Sequence, residues 1–130
     1  MLSKEQHIAY WKKSGQESWE TASYLLEGKR NVDALFMFCL AVENWLKAYW
    51  VNDNQNNYPP RIYDLQALRS QSDVELPAEL IDFLDTVNRW NIEDRYPDYK
   101  FSLHLQATDD YMKQQIEKLN LVKQCLFERI

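Results

Sequence analysis

Of the 130 residues, 45% are hydrophobic and 27% charged, with only two glycines and four prolines, a balance too apolar for a disordered chain and too poor in turn residues for a many-stranded β sandwich or barrel. Fifteen Lys and Arg against 20 Asp and Glu give a formal net charge of −5, so the field of the whole molecule repels polyanions and any nucleic-acid or nucleotide site has to be a local basic patch. A chain of this length folds around one core without disulfides or metal, and a single domain over residues 1–130 is expected.

The first segment opens with Ser3-x-x-Gln6, a capping-box pattern in which the Ser side chain accepts from a free backbone N–H while the Gln reaches back. A helix should follow. Ile8, Trp11, Gly15, Ser18, Ala22 and Leu25 recur at three- and four-residue intervals, on one face widened by Trp19 and Leu26, and Gly28 ends the element. Asn31 or Asp33 is suited to cap a second helix. Its apolar positions, Leu35, Phe38, Cys39, Val42, Trp45, Leu46 and Tyr49, form a stripe broad enough to touch several neighbours, which makes it the central helix.

From Val51 to Pro60 the Asn and Asp side chains compete for backbone hydrogen bonds and the prolines forbid helix, so this stretch reads as a loop. Residues 64–69 supply one or two helical turns, and Pro77 suits the first turn of the next helix. That helix presents Leu80, Phe83, Leu84, Val87 and Trp90, then breaks before Tyr96-Pro97, because proline disfavours the helical conformation of its predecessor. A last helix starts between Ser102 and Thr108, its stripe formed by Leu105, Met112, Ile116, Leu119, Val122 and Leu126. The reading is an all-α, antiparallel up-and-down bundle of four long helices plus one short one.

Several chemistries find no support in the sequence. Cys39 and Cys125, the two cysteines, sit in apolar helical patterns that suit buried thiols in a reducing compartment. With His7 and His104 they make no metal-ligand spacing, so no metal site is expected. Gly15 and Gly28 stand alone, leaving neither a P-loop nor a dinucleotide fingerprint, and no nucleophile elbow is present. No cofactor is therefore expected. The chain has no apolar run of membrane-spanning length and no signal-peptide core at Met1–Gln6, so a cytoplasmic location away from membranes is expected.

Two constellations carry possible chemistry. Glu43 and Lys47 lie four apart on the central helix, and periodicity alone makes them a surface ion pair. Glu93-Asp94-Arg95-Tyr96-Pro97-Asp98 combines a proline bend, an Arg whose planar fork suits phosphate, and Asp98 to orient that fork. Arg95 could equally tie the loop to a carboxylate or to helix-end carbonyls.

Together these constellations resemble the HEPN family of small all-α domains. The matching positions are Phe36, Ala41, Glu43, Leu46, Lys47 and Ala48 on the second helix, then Asp64-Leu65 after a loop, then Arg95-Tyr96-Pro97-Asp98 before the last helix. The order and spacing hold over nearly the whole chain. The resemblance implies a nucleotide- or RNA-phosphate-binding domain, with Lys47, Arg95, Asp98, Glu43 and Tyr96 as ligand-binding residues. It also implies a homodimer that acts with a minimal nucleotidyltransferase in a toxin–antitoxin-type module.

An alternative from the same resemblance is a metal-independent endoribonuclease, in which His104 assists attack of a ribose 2′-hydroxyl and Arg95 stabilises the pentavalent phosphate. Ribonuclease members place the His about four to six residues after the Arg, whereas here eight residues separate Arg95 from His104. Asn44 stands where many relatives have Lys, and Tyr63 where they have His. A third reading is a dimerisation module without catalysis. Among the tryptophans, Trp11, Trp45 and Trp90 follow the core stripes, whereas Tyr49 and Trp50, beside the polar loop, are expected on a contact surface.

Overall fold

A computed structural model of the chain describes residues 1–95 and 97–130, and the side chains of all of these except 92–95. The capping box forms as its spacing predicts: Ser3 Oγ accepts from Gln6 N at 3.1 Å and Ser3 N donates to Gln6 Oε1 at 2.9 Å. Helix α1 then runs Lys4–Glu27. It ends in a reverse turn in which Arg30 N donates to Leu25 O and Lys29 N to Leu26 O, at 2.9 and 3.0 Å. That turn needs a left-handed residue after the helix. Lys29, with φ 61°, fills the role, while Gly28 stays at φ −81°.

Helix α2 spans Asn31–Asp53. Neither expected side-chain cap forms, because Arg30 holds the cap position without a side-chain bond. Asn31 instead donates its side-chain amide to Ala107 O at 2.8 Å, tying α2 to the last part of the chain. The helix also takes in Val51, Asn52 and Asp53, residues expected in the loop: Val51 is fully buried, and that burial outweighs the weak propensity of the following Asn and Asp. As expected, α2 is central and packs against every other helix.

The short helix α3 covers Leu65–Ser70, capped by Asp64, whose carboxylate accepts from Gln66 N at 2.9 Å. Pro77 ends a loop, and α4 follows over Ala78–Arg95, with Leu80, Phe83, Leu84, Val87 and Trp90 all buried. An additional helix, α5, occupies Pro97–Gln106 where irregular chain was expected. Proline and Asp98 in its first turn both favour helix initiation. Leu105 consequently belongs to α5 and is 68% exposed, so it is no part of the last helix's stripe. Helix α6, Asp109–Leu126, starts from Thr108, whose hydroxyl accepts from Tyr111 N at 3.2 Å. No strand occurs among the described residues.

Hydrogen bonds across the bundle fix the direction of each helix. Lys4 Nζ at the start of α1 donates to Val51 O and Asn54 O at the end of α2, both at 2.6 Å, so these helices are antiparallel. Trp90 of α4 donates to Tyr111 OH near the start of α6, while Lys118, seven residues further along α6, lies over the ring of Phe83 near the start of α4, so α4 and α6 are antiparallel. Asn31 meets Ala107, and Tyr49 OH donates to Leu126 O at 3.0 Å, so α6 runs parallel to α2. The result is the expected up-and-down arrangement, with α2 and α6 as a like-directed pair. Tyr49 and Trp50 are fold ties and not an open contact surface: Trp50 is 8% exposed and its indole donates to Gln71 Oε1 at 2.9 Å.

The core is densest between α1 and α2. Trp45 is fully buried, and its indole donates to Lys12 O at 3.3 Å. Gly15 of α1 lies directly over it. A Cβ at residue 15 would collide with the Trp45 indole and approach Ala41 O to 3.0 Å, so the glycine is there for close approach and not for backbone freedom. Cys39 and Cys125 are free and buried. Burial, and then the nearby Glu43 charge, push the Cys39 thiol up to about 12, against a smaller lowering contribution from the Asn91 backbone.

Candidate functional site

Along α2, the residues Phe36, Leu40, Glu43, Asn44 and Lys47 recur at helical spacing on the side not filled by the core. Phe36 and Leu40 are half-buried, but Glu43 and Asn44 are only 5% and 7% exposed. Lys47 Nζ lies 3.2 Å from Glu43 Oε2, and the two side chains are 14% and 6% exposed. The expectation of a surface ion pair is therefore corrected. Spacing makes the pair possible, but α1 covers it, and Lys47 Nζ also sits 4.8 Å from the centre of the Trp11 ring. A cation held by a carboxylate below and an aromatic face beside it has little freedom of position.

Three concavities meet at this pair. A small cleft of about 70 Å3 is lined by Phe36, Cys39, Leu40, Glu43, Tyr63 and Asn91. A groove of about 440 Å3 between α1 and α2 shares Leu40 and Glu43 with it and extends to Asn44, Lys47 and Trp11. Beyond Lys47 and Trp11 a third cleft, of about 510 Å3, reaches Tyr58, Pro59, Pro60 and Arg61 in the loop after α2. The pair thus lies at the junction of one continuous depression.

His104 lies elsewhere. It is exposed near the end of α5 and lines a separate cleft of about 290 Å3 with Lys29, Arg30, Asn31, Val32, Asp33 and Ala107. Asp33 and Lys47 are separated along α2 by about 21 Å, from fourteen residues at 1.5 Å each. Glu43 and Lys47 are therefore brought together, and His104 is kept apart from them. Asp98 is exposed in the first turn of α5. Arg95 is the last residue of α4, but its side chain and the whole of Tyr96 lie outside the described residues.

The Asp64-Leu65 pair serves the fold. Besides capping α3, Asp64 accepts from the Asn88 side chain at 3.0 Å, and Leu65, fully buried, donates its N–H to Asn88 Oδ1 at 2.9 Å. Asn44, in place of a lysine, is buried along the α1–α2 groove, and Tyr63 reaches the small cleft. Among the described residues no cluster of His, Cys, Asp or Glu could hold a metal ion. No helix among them is long and apolar enough to cross a membrane.

The sequence matches the HEPN domain family over residues 8–129. The chain belongs to the HEPN family. No curated protein and no solved structure matches it.

Sequence reasoning missed Trp11, Tyr58 and Arg61. Trp11 shares the α1 periodicity of core residues yet is only half-buried and lines the depression. Tyr58 and Arg61 flank two prolines in a loop, where no periodicity marks them. The pairing of two exposed side chains around a rigid Pro-Pro turn was the one available signal.

Proposed function

We propose that this HEPN domain binds the phosphate of a nucleotide or RNA and acts with a minimal nucleotidyltransferase partner in a toxin–antitoxin-type module. The observation that carries the reading is Lys47, fixed 3.2 Å from Glu43 and 4.8 Å from the Trp11 ring at the junction of the grooves. HEPN domains have nucleotide- and RNA-related roles, and Lys47, its charge balanced by Glu43, offers such a ligand a positioned N–H donor. Arg95, which ends α4 away from Lys47, supplies a bidentate contact to a separate phosphate, with Asp98 and Tyr96 beside it in sequence.

The half-buried Phe36, Met37 and Leu40 on α2 support pairing with a second copy, which would double the phosphate-binding patch by symmetry. Sedimentation at micromolar concentration tests this, and a strictly monomeric species overturns the paired arrangement.

The ribonuclease reading has one observation in its favour: His104 shares its cleft with Lys29 and Arg30. Incubation of RNA with the purified protein, with and without EDTA, distinguishes the two. Binding without cleavage is expected.

Arg95 is the residue that tests the proposal. Arg95→Ala should weaken RNA or nucleotide binding by about 1.5–3 kcal/mol, the range for hydrogen bonds to charged groups, while leaving helical content and melting cooperativity intact. Arg95→Lys should recover only part, since a point charge cannot replace a fork. Unfolding of Arg95→Ala with no separable loss of affinity would mean that Arg95 serves the fold alone.

A further inference from the structure

The cleft beyond Lys47, walled by Trp11, Lys47, Tyr58, Pro59, Pro60 and Arg61, differs from its neighbours in charge. Glu17 and Glu43 line the α1–α2 groove, Asp64 and Asp85 line the cleft between α3 and α4, and Asp33 lines the cleft of His104. No carboxylate lines the Trp11 cleft among the described residues, while two cationic side chains do. In a molecule of net charge −5, this is where a phosphate meets the least repulsion.

Trp11 supplies an independent observation. Its indole Nε1 is buried without a hydrogen-bond partner among the described residues. The indoles of Trp45, Trp50 and Trp90, by contrast, donate to Lys12 O, Gln71 Oε1 and Tyr111 OH at 3.3, 2.9 and 3.2 Å. That N–H is itself buried, so Trp11 offers the cleft its ring, against which Lys47 Nζ is held at 4.8 Å. Arg61 is exposed and makes no ion pair or hydrogen bond among the described residues. Tyr58 is 61% exposed and braced edge-on by the His7 ring, 5.1 Å between centroids. Pro59 and Pro60 fix the backbone between these two side chains, so the wall exists before any ligand enters.

An exposed tyrosine ring on a rigid wall and a free guanidinium are together the complement of a nucleobase carrying a phosphate. We infer that this cleft is a nucleotide subsite. The base stacks against Tyr58, and its phosphate lies on Arg61 beside Lys47. The inference rests on the nucleotide- or RNA-binding reading above and adds to it a site formed outside the Arg95 motif. Stacking is tolerant of base identity, so any of the four bases fits. The cleft volume, about 510 Å3, suits a single nucleotide unit and not a duplex.

The test uses the full chain with two probes, AMP and a short single-stranded oligoribonucleotide carrying 5-iodouridine. Tyr58→Ala and Arg61→Ala, both at exposed positions, should each weaken binding by roughly 5- to 150-fold, with circular dichroism unchanged. Photocrosslinks should fall on Trp11 or Tyr58. If AMP binds and shows the same variant effects, a free mononucleotide suffices; if only the oligoribonucleotide does, the ligand is one residue of a single strand. Unchanged affinity in both variants, alongside a loss in Arg95→Ala, overturns the subsite and leaves the wider reading standing. Failure of the wild type to bind either probe overturns both.

Discussion

Two lysine–carboxylate pairs of nearly equal length sit at opposite ends of α2. Lys47 and Glu43 are 3.2 Å apart, and Lys29 and Asp109 are 3.4 Å apart. Their surroundings differ completely: the first pair is 14% and 6% exposed, the second 73% and 63%. Distance alone would rank them as equals. Burial separates them, because water screens and competes for the second pair, whereas the first has exchanged its hydration for one fixed geometry. A cation with a fixed position and few water contacts can contribute to recognition, and the depression around Lys47 is where this chain has built one.

The largest effect should come from breaking the buried pair. Lys47→Ala leaves the Glu43 carboxylate buried without its partner and should cost about 3 kcal/mol, measured by urea unfolding. The paired replacement Glu43→Leu with Lys47→Met, which leaves no charge behind, should return most of that stability while losing ligand affinity. If Lys47→Ala costs no more than an exposed charge does, the two ends of α2 are equivalent and the buried pair has no special standing.

Next in size is the packing that holds α1 over that pair. Gly15→Ala gains about 1 kcal/mol of helix propensity, but its Cβ collides with the fully buried Trp45. Overpacking of this kind costs about 1–3 kcal/mol, and the backbone Ala41 O at 3.0 Å closes the route of escape. A net lowering of thermal stability is expected. Gly28→Ala is the control, since the nearest atoms to its Cβ are at 3.6 and 3.8 Å and its φ is −81°. It should be neutral or stabilising by up to about 1 kcal/mol.

A pH-dependent contrast follows from Cys39, which lies beside the same depression. Its folded value is raised from 9.0 to about 12, chiefly by burial and secondarily by Glu43. A raised folded pKa means the stabilising contribution is complete below the unfolded value and is lost as pH climbs from about 9 towards about 12. Cys39→Ala should flatten the fall in stability over that window, read as melting temperature against pH, after a pH-independent loss of packing. Alkylation of native Cys39 at neutral pH should be slow, because the thiol and not the thiolate is present.

The parts of this molecule that were legible in its sequence are those set by local chemistry. Ser3 and Gln6 cap α1, and Leu80 through Trp90 make the buried face of α4, because both depend on neighbours a few residues away. Helix α5 was hidden because Tyr99, Phe101 and Leu105 are exposed and only Leu103 is buried, so no apolar stripe advertises it. The Glu43–Lys47 spacing was readable, but its burial depends on α1 and was not. Trp11 and Trp45 share apolar periodicity on their respective helices, yet one ends at a groove wall and the other at the centre, a radial difference that periodicity cannot encode.

The smallest effects should come from the other end of α2. Lys29→Ala removes an exposed pair and His104→Ala an exposed side chain, and each should change stability by no more than about 0.5–1 kcal/mol. That small cost makes His104 a clean probe of chemistry, since loss of activity could not be ascribed to unfolding. Catalysis by His104 needs Arg95 to reach the same scissile phosphate, and both must act on one atom's surroundings within hydrogen-bond distance. The clefts of His104 and Lys47 share no lining residue, and Asp33 in the first lies about 21 Å along α2 from Lys47 in the second, so His104 and Lys47 cannot serve one phosphate within one chain. His104→Ala should therefore leave RNA or nucleotide affinity unchanged while Arg61→Ala reduces it. If the wild-type protein cleaves RNA and His104→Ala abolishes cleavage with affinity intact, the N-terminal end of α2 is the chemical end and the Lys47 depression serves to hold the strand.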